Sequence, residues 1–248
     1  MQSKTLSVPI PREHGSWAMW ILPFFAAAAI TGFPARQWLL LGCVFFAYLT
    51  LAPIELLEKS GVRRRENTLW LLLYIAFSGI CGVWLLPHYP GLLLFPVIAF
   101  ISFLINYYFI RHRAERHLLN DFTGILTLCC TFLAAYYVGA NHVGTDAVVD
   151  YLYFVAFYFG SALHIKSRIR QRFQRRYKWV SMGYSALLLA AFLLLHLPIL
   201  ISVGQAIALL RTVFLPQAKK PRIALIAATE IVTSLAFSGL LVAALWPH

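Results

Sequence analysis

Long apolar runs separated by short polar clusters are the dominant pattern of this 248-residue chain. Runs fall at about 17–33, 37–56, 68–86, 92–110, 119–138, 150–165, 180–197, 199–215 and 223–245. A bilayer-crossing helix needs about 20 apolar residues, so the pattern predicts an all-α, polytopic membrane protein with nine transmembrane helices. No linker or polar block interrupts it, and residues 1–248 read as one domain. The stretch 180–215 is broken only at His196-Leu197-Pro198. As one helix it would be about 54 Å long against a hydrocarbon core of about 30 Å, which predicts a tight hairpin there. The sixth run is short and tolerates a tilt-free crossing or local thinning.

Composition sharpens this. Hydrophobic residues make up 60% of the chain and charged residues 12%, against roughly 25% charged in soluble domains. That excludes a water-soluble monomer. A net charge of +12 would suit nucleic acid if it formed a patch, but the basic residues sit between the apolar runs. All but Arg36 of the 21 Lys and Arg residues fall on alternate connections. By the positive-inside rule this places the N-terminus in the cytoplasm and the C-terminus outside. Trp17, Trp38, Trp70, Trp84, Trp179 and Trp246 lie at run ends, as interfacial indoles do. The first run is too long for a signal-peptide core and lacks a small-residue cleavage site, so it is read as a retained span. Cys43, Cys81, Cys129 and Cys130 lie inside apolar runs without C-x-x-C spacing and read as packing residues.

Ionisable groups that enter a membrane are costly and tend to face a bundle interior or a wet cavity. Nine acidic residues make the search short. Asp146 and Asp150 read as a solvated outer loop. Glu55 and Glu58, at the inner end of the second run, share a helix face at i, i+3, a spacing that suits one Mg²⁺ or a proton relay. It equally suits pairing of Glu55 with Lys59, and Pro53 should kink the segment. Asn106 lies about one turn inside the fourth run and is expected to point into a polar pocket. Asp121 opens the fifth and can accept from Arg111 or Arg113, or cap the helix. His164 and Arg168 would share one side of a continued sixth helix, with Lys166 and Arg170 on the adjacent side. Such a cradle suits an anionic headgroup, phosphate or diphosphate, or simple attraction to inner-leaflet lipid. Glu230 is about eight residues, roughly 12 Å, into the last run and demands a partner, for which Arg211, Lys166 and His14 are candidates.

The segment Pro11-Arg12-Glu13-His14-Gly15-Ser16-Trp17-Ala18-Met19, with Ser161-Ala162-Leu163-His164-Ile165-Lys166-Ser167 and the later helix through Glu230, resembles the YwiC-like family of bacterial membrane proteins. That resemblance implies the bacterial cytoplasmic (inner) membrane. More distantly, the layout resembles the UbiA superfamily of intramembrane prenyltransferases. This implies a nine-helix bundle with a cytoplasm-facing cavity, and Asp-rich motifs binding Mg²⁺ and prenyl diphosphate. Glu55, Glu58, Arg63 and Arg65 occupy the stretch equivalent to the first motif. Tyr107, Tyr108, Arg111 and Arg113 match a Tyr-plus-basic segment ending helix four, and Asp121 matches the acidic residue opening helix five. The chain departs at the second motif, where His164, Lys166, Arg168 and Arg170 stand without a carboxylate.

The functional expectation is an intramembrane UbiA-like transferase binding a prenyl or lipid diphosphate. Glu55 and Glu58 would hold Mg²⁺, and Asp121 and His164 would orient substrate or move a proton. His14, Arg63, Arg65, Asn106, Arg111, Arg113, Lys166 and Arg170 would line the substrate site. The alternative is a transporter or a lipid- or anion-binding membrane protein without catalysis. Membrane lipid is the expected partner, and no motif singles out a protein partner. On the transferase reading, Glu55→Gln abolishes Mg²⁺-dependent turnover in lipid, whereas unchanged product formation by the purified variant removes the metal role.

Overall fold

The computed structural model describes residues 8–11, 14–59, 64–112, 117–170, 174–215 and 223–246. It is helical nearly throughout, with no strand among these residues. The helices are α1 His14–Ile30, α2 Arg36–Leu49, α3 Leu51–Lys59, α4 Arg64–Leu85, α5 Leu94–Arg111, α6 Leu118–Ala140, α7 Thr145–Ile165, α8 Arg175–Leu194, α9 Ile199–Phe214 and α10 Ile223–Leu245. A 3₁₀ turn, Pro90–Leu93, leads into α5, and a π-helical segment, Lys166–Arg170, prolongs α7.

Among the described residues, seven stretches are long and apolar enough to cross a membrane: Arg36–Leu57, Arg64–Leu85, Pro90–Phe109, Leu118–Ala140, Thr145–Ile169, Arg175–Leu194 and Ile223–Leu245. Two further apolar helices, Gly15–Ile30 and Ile199–Phe214, are shorter. The 16 residues of α9 rise only about 24 Å, less than a hydrocarbon core of about 30 Å. Among the described residues, seven of the nine expected runs thus reach the length of a full span, and the other two fold as the shorter helices α1 and α9. At the first, the cause is local: Gly32 and Phe33 adopt positive φ (81° and 52°) and end α1 before Pro34.

Other boundaries follow equally simple causes. The hairpin at 196–198 is present. His196 takes φ 52° after α8, the Leu197 amide bonds back to the Phe192 carbonyl, and Pro198 caps α9, as at a left-handed helix end. Pro53 cannot donate to the Leu49 carbonyl four residues back, and the span breaks at Thr50 into α2 and α3. The sixth apolar run folds as α7, which begins at Thr145 rather than near 150, with Asp146 in its first turn, where the helix dipole favours a carboxylate. Asp150 is consequently inside a helix and buried (8% exposed), not in a solvated loop.

The core lies where α1 packs on α6 and α10, and α6 packs on α7. Trp20, Phe24, Phe132, Phe154 and Phe237 are all but inaccessible, and Phe157 stacks on Phe237 at 4.1 Å. Ala26, Ala27 and Ala28 on α1 are buried as well, and small side chains allow the close helix approach on which membrane packing depends. Large apolar residues such as Leu72, Ile80, Val83 and Phe100 are exposed on α4 and α5, the surface a bilayer covers.

Near the end of α6, Gly139 meets the side chains of Thr31 and Gln37, and an added Cβ would approach Gln37 Nε2 to 2.7 Å. Both neighbours are tied down: Gln37 Nε2 donates to Thr31 Oγ1 and to the Ala135 carbonyl, each at 2.8 Å. Gly139→Ala should therefore cost about 1–3 kcal/mol by overpacking, seen as a lower thermal midpoint in detergent. Gly183→Ala, with nothing within 4 Å of its added carbon, should show no loss. Equal midpoints for the two variants would contradict this packing.

Candidate functional site

A cluster of buried or half-buried charged groups gathers at the ends of α7 and α9, near the start of α6, and two turns into α10. They begin with the π-helical segment. A π turn widens the helix and frequently marks functional sites. Here Lys166, Ser167 and Arg168 are consecutive and all buried, at 5%, 1% and 3% exposure. They achieve this by reaching in different directions. Lys166 Nζ donates to Asp121 Oδ2 at 2.8 Å on α6. Ser167 Oγ donates back to the His164 carbonyl at 2.7 Å. Arg168 donates from one terminal nitrogen to the Thr212 carbonyl of α9 at 2.6 Å.

On the α9–α10 side, Arg211 donates to Glu230 Oε2 at 2.7 Å and to Thr233 Oγ1 at 2.6 Å. Thr233 passes its own proton to the Thr229 carbonyl at 2.8 Å. His164 is fully buried, with Nε2 3.9 Å from Glu230 Oε1. Of Glu230's candidate partners, Arg211 is the one that makes the hydrogen-bonded pair. Among the described residues, both His164 ring nitrogens, Arg211 Nε, and Arg168 Nε and its second terminal nitrogen have no hydrogen-bond partner. Buried donors left in this way are expensive, so the site has hydrogen-bonding capacity toward something beyond the side chains facing it. Its formal charges among the described residues are also unequal: Arg211 is opposed by Glu230 and Lys166 by Asp121, while Arg168 has only a described backbone carbonyl.

The remaining sequence candidates are distributed differently. Asp121 neither caps α6 nor meets Arg111. The cap is His117, whose Nδ1 accepts the Leu119 amide, while Phe109 stacks on the His117 ring and Asp121 is drawn to Lys166. Asn106 is exposed rather than in a pocket, and its amide donates to Asn120 Oδ1 at 3.1 Å. Arg111 is exposed beside the Tyr107 ring, and Arg65 is exposed at the start of α4. Glu55 is exposed on α3, which packs on α2 and α4. Arg63 and Arg113 lie outside the described residues, as do the side chains of His14, Glu58 and Arg170. No group of three or more His, Cys, Asp or Glu that could hold a metal occurs among the described residues. Mg²⁺ bound through one or two carboxylates plus phosphate oxygens would ask only for Glu55 and Glu58.

Arg168 and Arg211 carry the site's geometry, although neither belongs to the sequence-derived site set. The signals were there: Arg168 stands four residues after His164, and Arg211 is the basic residue nearest the polar depth of Glu230.

A family model described as YwiC-like protein matches residues 10–136. The chain is 34% identical over 183 residues to uncharacterized protein YwiC of Bacillus subtilis, covering 72% of this chain and 74% of that protein. It is 29% identical over 214 residues to an uncharacterized protein of Haemophilus influenzae, covering 85% and 87%. No solved structure matches.

Removing one member of a buried ion pair strands the other's charge at about 3–5 kcal/mol, whereas replacing both with apolar groups is often neutral or better. Glu230→Leu should therefore lower the thermal midpoint of the protein in nanodiscs sharply, and adding Arg211→Met should recover most of the loss. A double variant as unstable as the sum of the single ones would contradict the pairing.

Proposed function

We propose that this chain, which belongs to the YwiC-like family, spans the bacterial cytoplasmic membrane nine times, with its N-terminus in the cytoplasm and its C-terminus outside. In this reading it binds the phosphate or diphosphate of a lipid or prenyl compound from the cytoplasmic side. The orientation rests on the basic residues, all but Arg36 of which fall on one side of a nine-span layout. The two short helices, α1 and α9, would cross with local thinning of the bilayer.

One observation carries the binding site: Arg168 is 3% exposed and its only described hydrogen bond is to a backbone carbonyl. A guanidinium cannot shed its proton in a protein, so a buried one with no carboxylate among the described residues calls for an anion. Phosphate oxygens answer the planar fork of Arg well. Lys166 and Arg211, on either side, add field of the same sign, and His164 adds a neutral donor. Arg170, Arg63, Arg65, Arg111 and Arg113 would hold a second phosphate or the approach to it, with His14 and Asn106 at the margin.

A second reading, a UbiA-like transferase, is favoured by the placing of His164 beside Glu230 in the buried polar cluster, where two groups able to exchange a proton stand 3.9 Å apart. In it, Asp121 and His164 orient the substrate or move a proton. Mg²⁺, if bound, would be held by Glu55 and Glu58 and would neutralise diphosphate charge.

The test uses the full-length protein in detergent and inorganic diphosphate as probe, with affinity read by calorimetry. Arg168→Ala should weaken binding at least tenfold, and Arg175→Ala, at an exposed position, should leave it unchanged. Without ligand, Arg168→Met should keep or raise the thermal midpoint, because it removes an uncompensated buried charge. Unchanged diphosphate affinity in Arg168→Ala would refute the anion site.

A further inference from the structure

At the end of the bundle opposite the buried charges, where α6 finishes and α2 begins, three connections enclose a cavity of about 550 Å³. The α1–α2 turn lines it with Pro34 and Arg36, the segment after α4 with His88 and Tyr89, and the end of α6 with Val138 and Asn141. On the topology proposed above this end faces outward. Arg36 is then the basic residue that the charge alternation leaves on that side.

The walls are set by backbone and ring contacts. Asn141 ends α6 in the left-handed region (φ 61°), and its amide bonds to the Tyr137 carbonyl at 2.9 Å. The amides of His88 and Tyr89 both bond back to the Leu85 carbonyl. Tyr89 is buried, with its ring edge-on to Tyr137 at 5.7 Å. Arg36 is exposed, yet it is held against this tyrosine: one terminal nitrogen donates to the hydroxyl at 2.9 Å, and Cζ lies 5.8 Å from the ring centroid. A guanidinium positioned in this way before a ligand arrives loses less freedom on binding.

The polar side chains of the cavity are rich in donors. Tyr89 takes one of the five N–H groups of Arg36, and the others have no described hydrogen-bond partner. Having accepted from Arg36, the Tyr89 hydroxyl keeps its own proton to give. Asn141 carries an amide NH₂, and a His88 ring nitrogen donates in either tautomer. No carboxylate lines the cavity, and Asp146, the acidic residue nearest Asn141 in sequence, is on the first turn of α7 outside it. A fixed arginine fork among neutral donors, with no acid to neutralise it, is complementary to an oxyanion.

The geometry points to an oxyanion site at this end, separate from the one at Arg168. A carboxylate or phosphate group meets the Arg36 fork, the Tyr89 hydroxyl, His88 and Asn141 supply further donors, and any apolar part of the same molecule rests on Pro34 and Val138.

The test follows phenylglyoxal modification of single arginines by mass spectrometry, on the full-length protein in maltoside detergent, with propionate and inorganic phosphate as probes. At least one probe should slow modification of Arg36 fivefold or more and leave the exposed Arg175 at its original rate. Protection by propionate alone identifies a carboxylate site, and protection by phosphate alone a phosphate site. His88→Ala and Asn141→Gly should each cut the protection at least threefold, the glycine keeping the left-handed helix end. Arg168→Ala should leave it intact, so failure of one anion site is distinguishable from failure of the other. No protection by either probe, equal protection of Arg175, or full protection in either cavity variant would overturn the proposal.

Discussion

A carboxylate and a guanidinium taken out of water together cannot afterwards be separated cheaply, and the Arg211–Glu230 pair imposes this constraint on its end of the bundle. The pair joins α9 to α10. Thr233 completes it, His164 approaches its second oxygen, and the next residue of α9 receives Arg168. Three helices are therefore held in register by one charged contact and its neighbours. Their apolar faces would pack nearly as well in several registers, because lipid tails supply no hydrophobic drive between helices.

The π-helical turn makes this arrangement reachable. In a regular α-helix, three successive side chains fan over about 200°, and at the end of a span one of them would face lipid or water. Widening the turn at Lys166–Arg170 lets Lys166 answer Asp121 on α6 while Arg168 answers α9. The segment thus links the two sides of the polar cluster. Among the described residues neutralisation then stops one charge short, at Arg168, and that imbalance is the chemical basis of the anion reading.

Much of the fold was legible because apolar runs and helices coincide when lipid is the solvent. The run ends at His196-Leu197-Pro198 identified a hairpin, and the depth of Glu230 identified a residue in need of a counter-charge. What was not legible depended on single backbone events and on contacts distant in sequence. Positive φ at Gly32 and Phe33 follows the end of α1 at Ile30, and the N-terminal extension of α7 draws Asp150 inside. No spacing rule shows that His117 caps α6, or that Asp121 prefers Lys166, 45 residues on, to the nearby Arg111. For the same reason the carboxylates at Glu55 and Glu58 stood out in the sequence as the densest acidic motif, whereas the buried charges are dispersed, Lys166 and Arg168 on the extension of α7, Arg211 on α9 and Glu230 on α10.

The claim that Arg168 is balanced by an anion can be tested most directly by anomalous diffraction from crystals soaked in selenate, a tetrahedral oxyanion shaped like phosphate. A selenium peak within hydrogen-bonding reach of the Arg168 guanidinium, absent in Arg168→Met crystals, is the predicted result. Selenate found only at surface residues such as Arg175 and Arg176, with the Arg168 guanidinium satisfied wholly by protein and water, would contradict it.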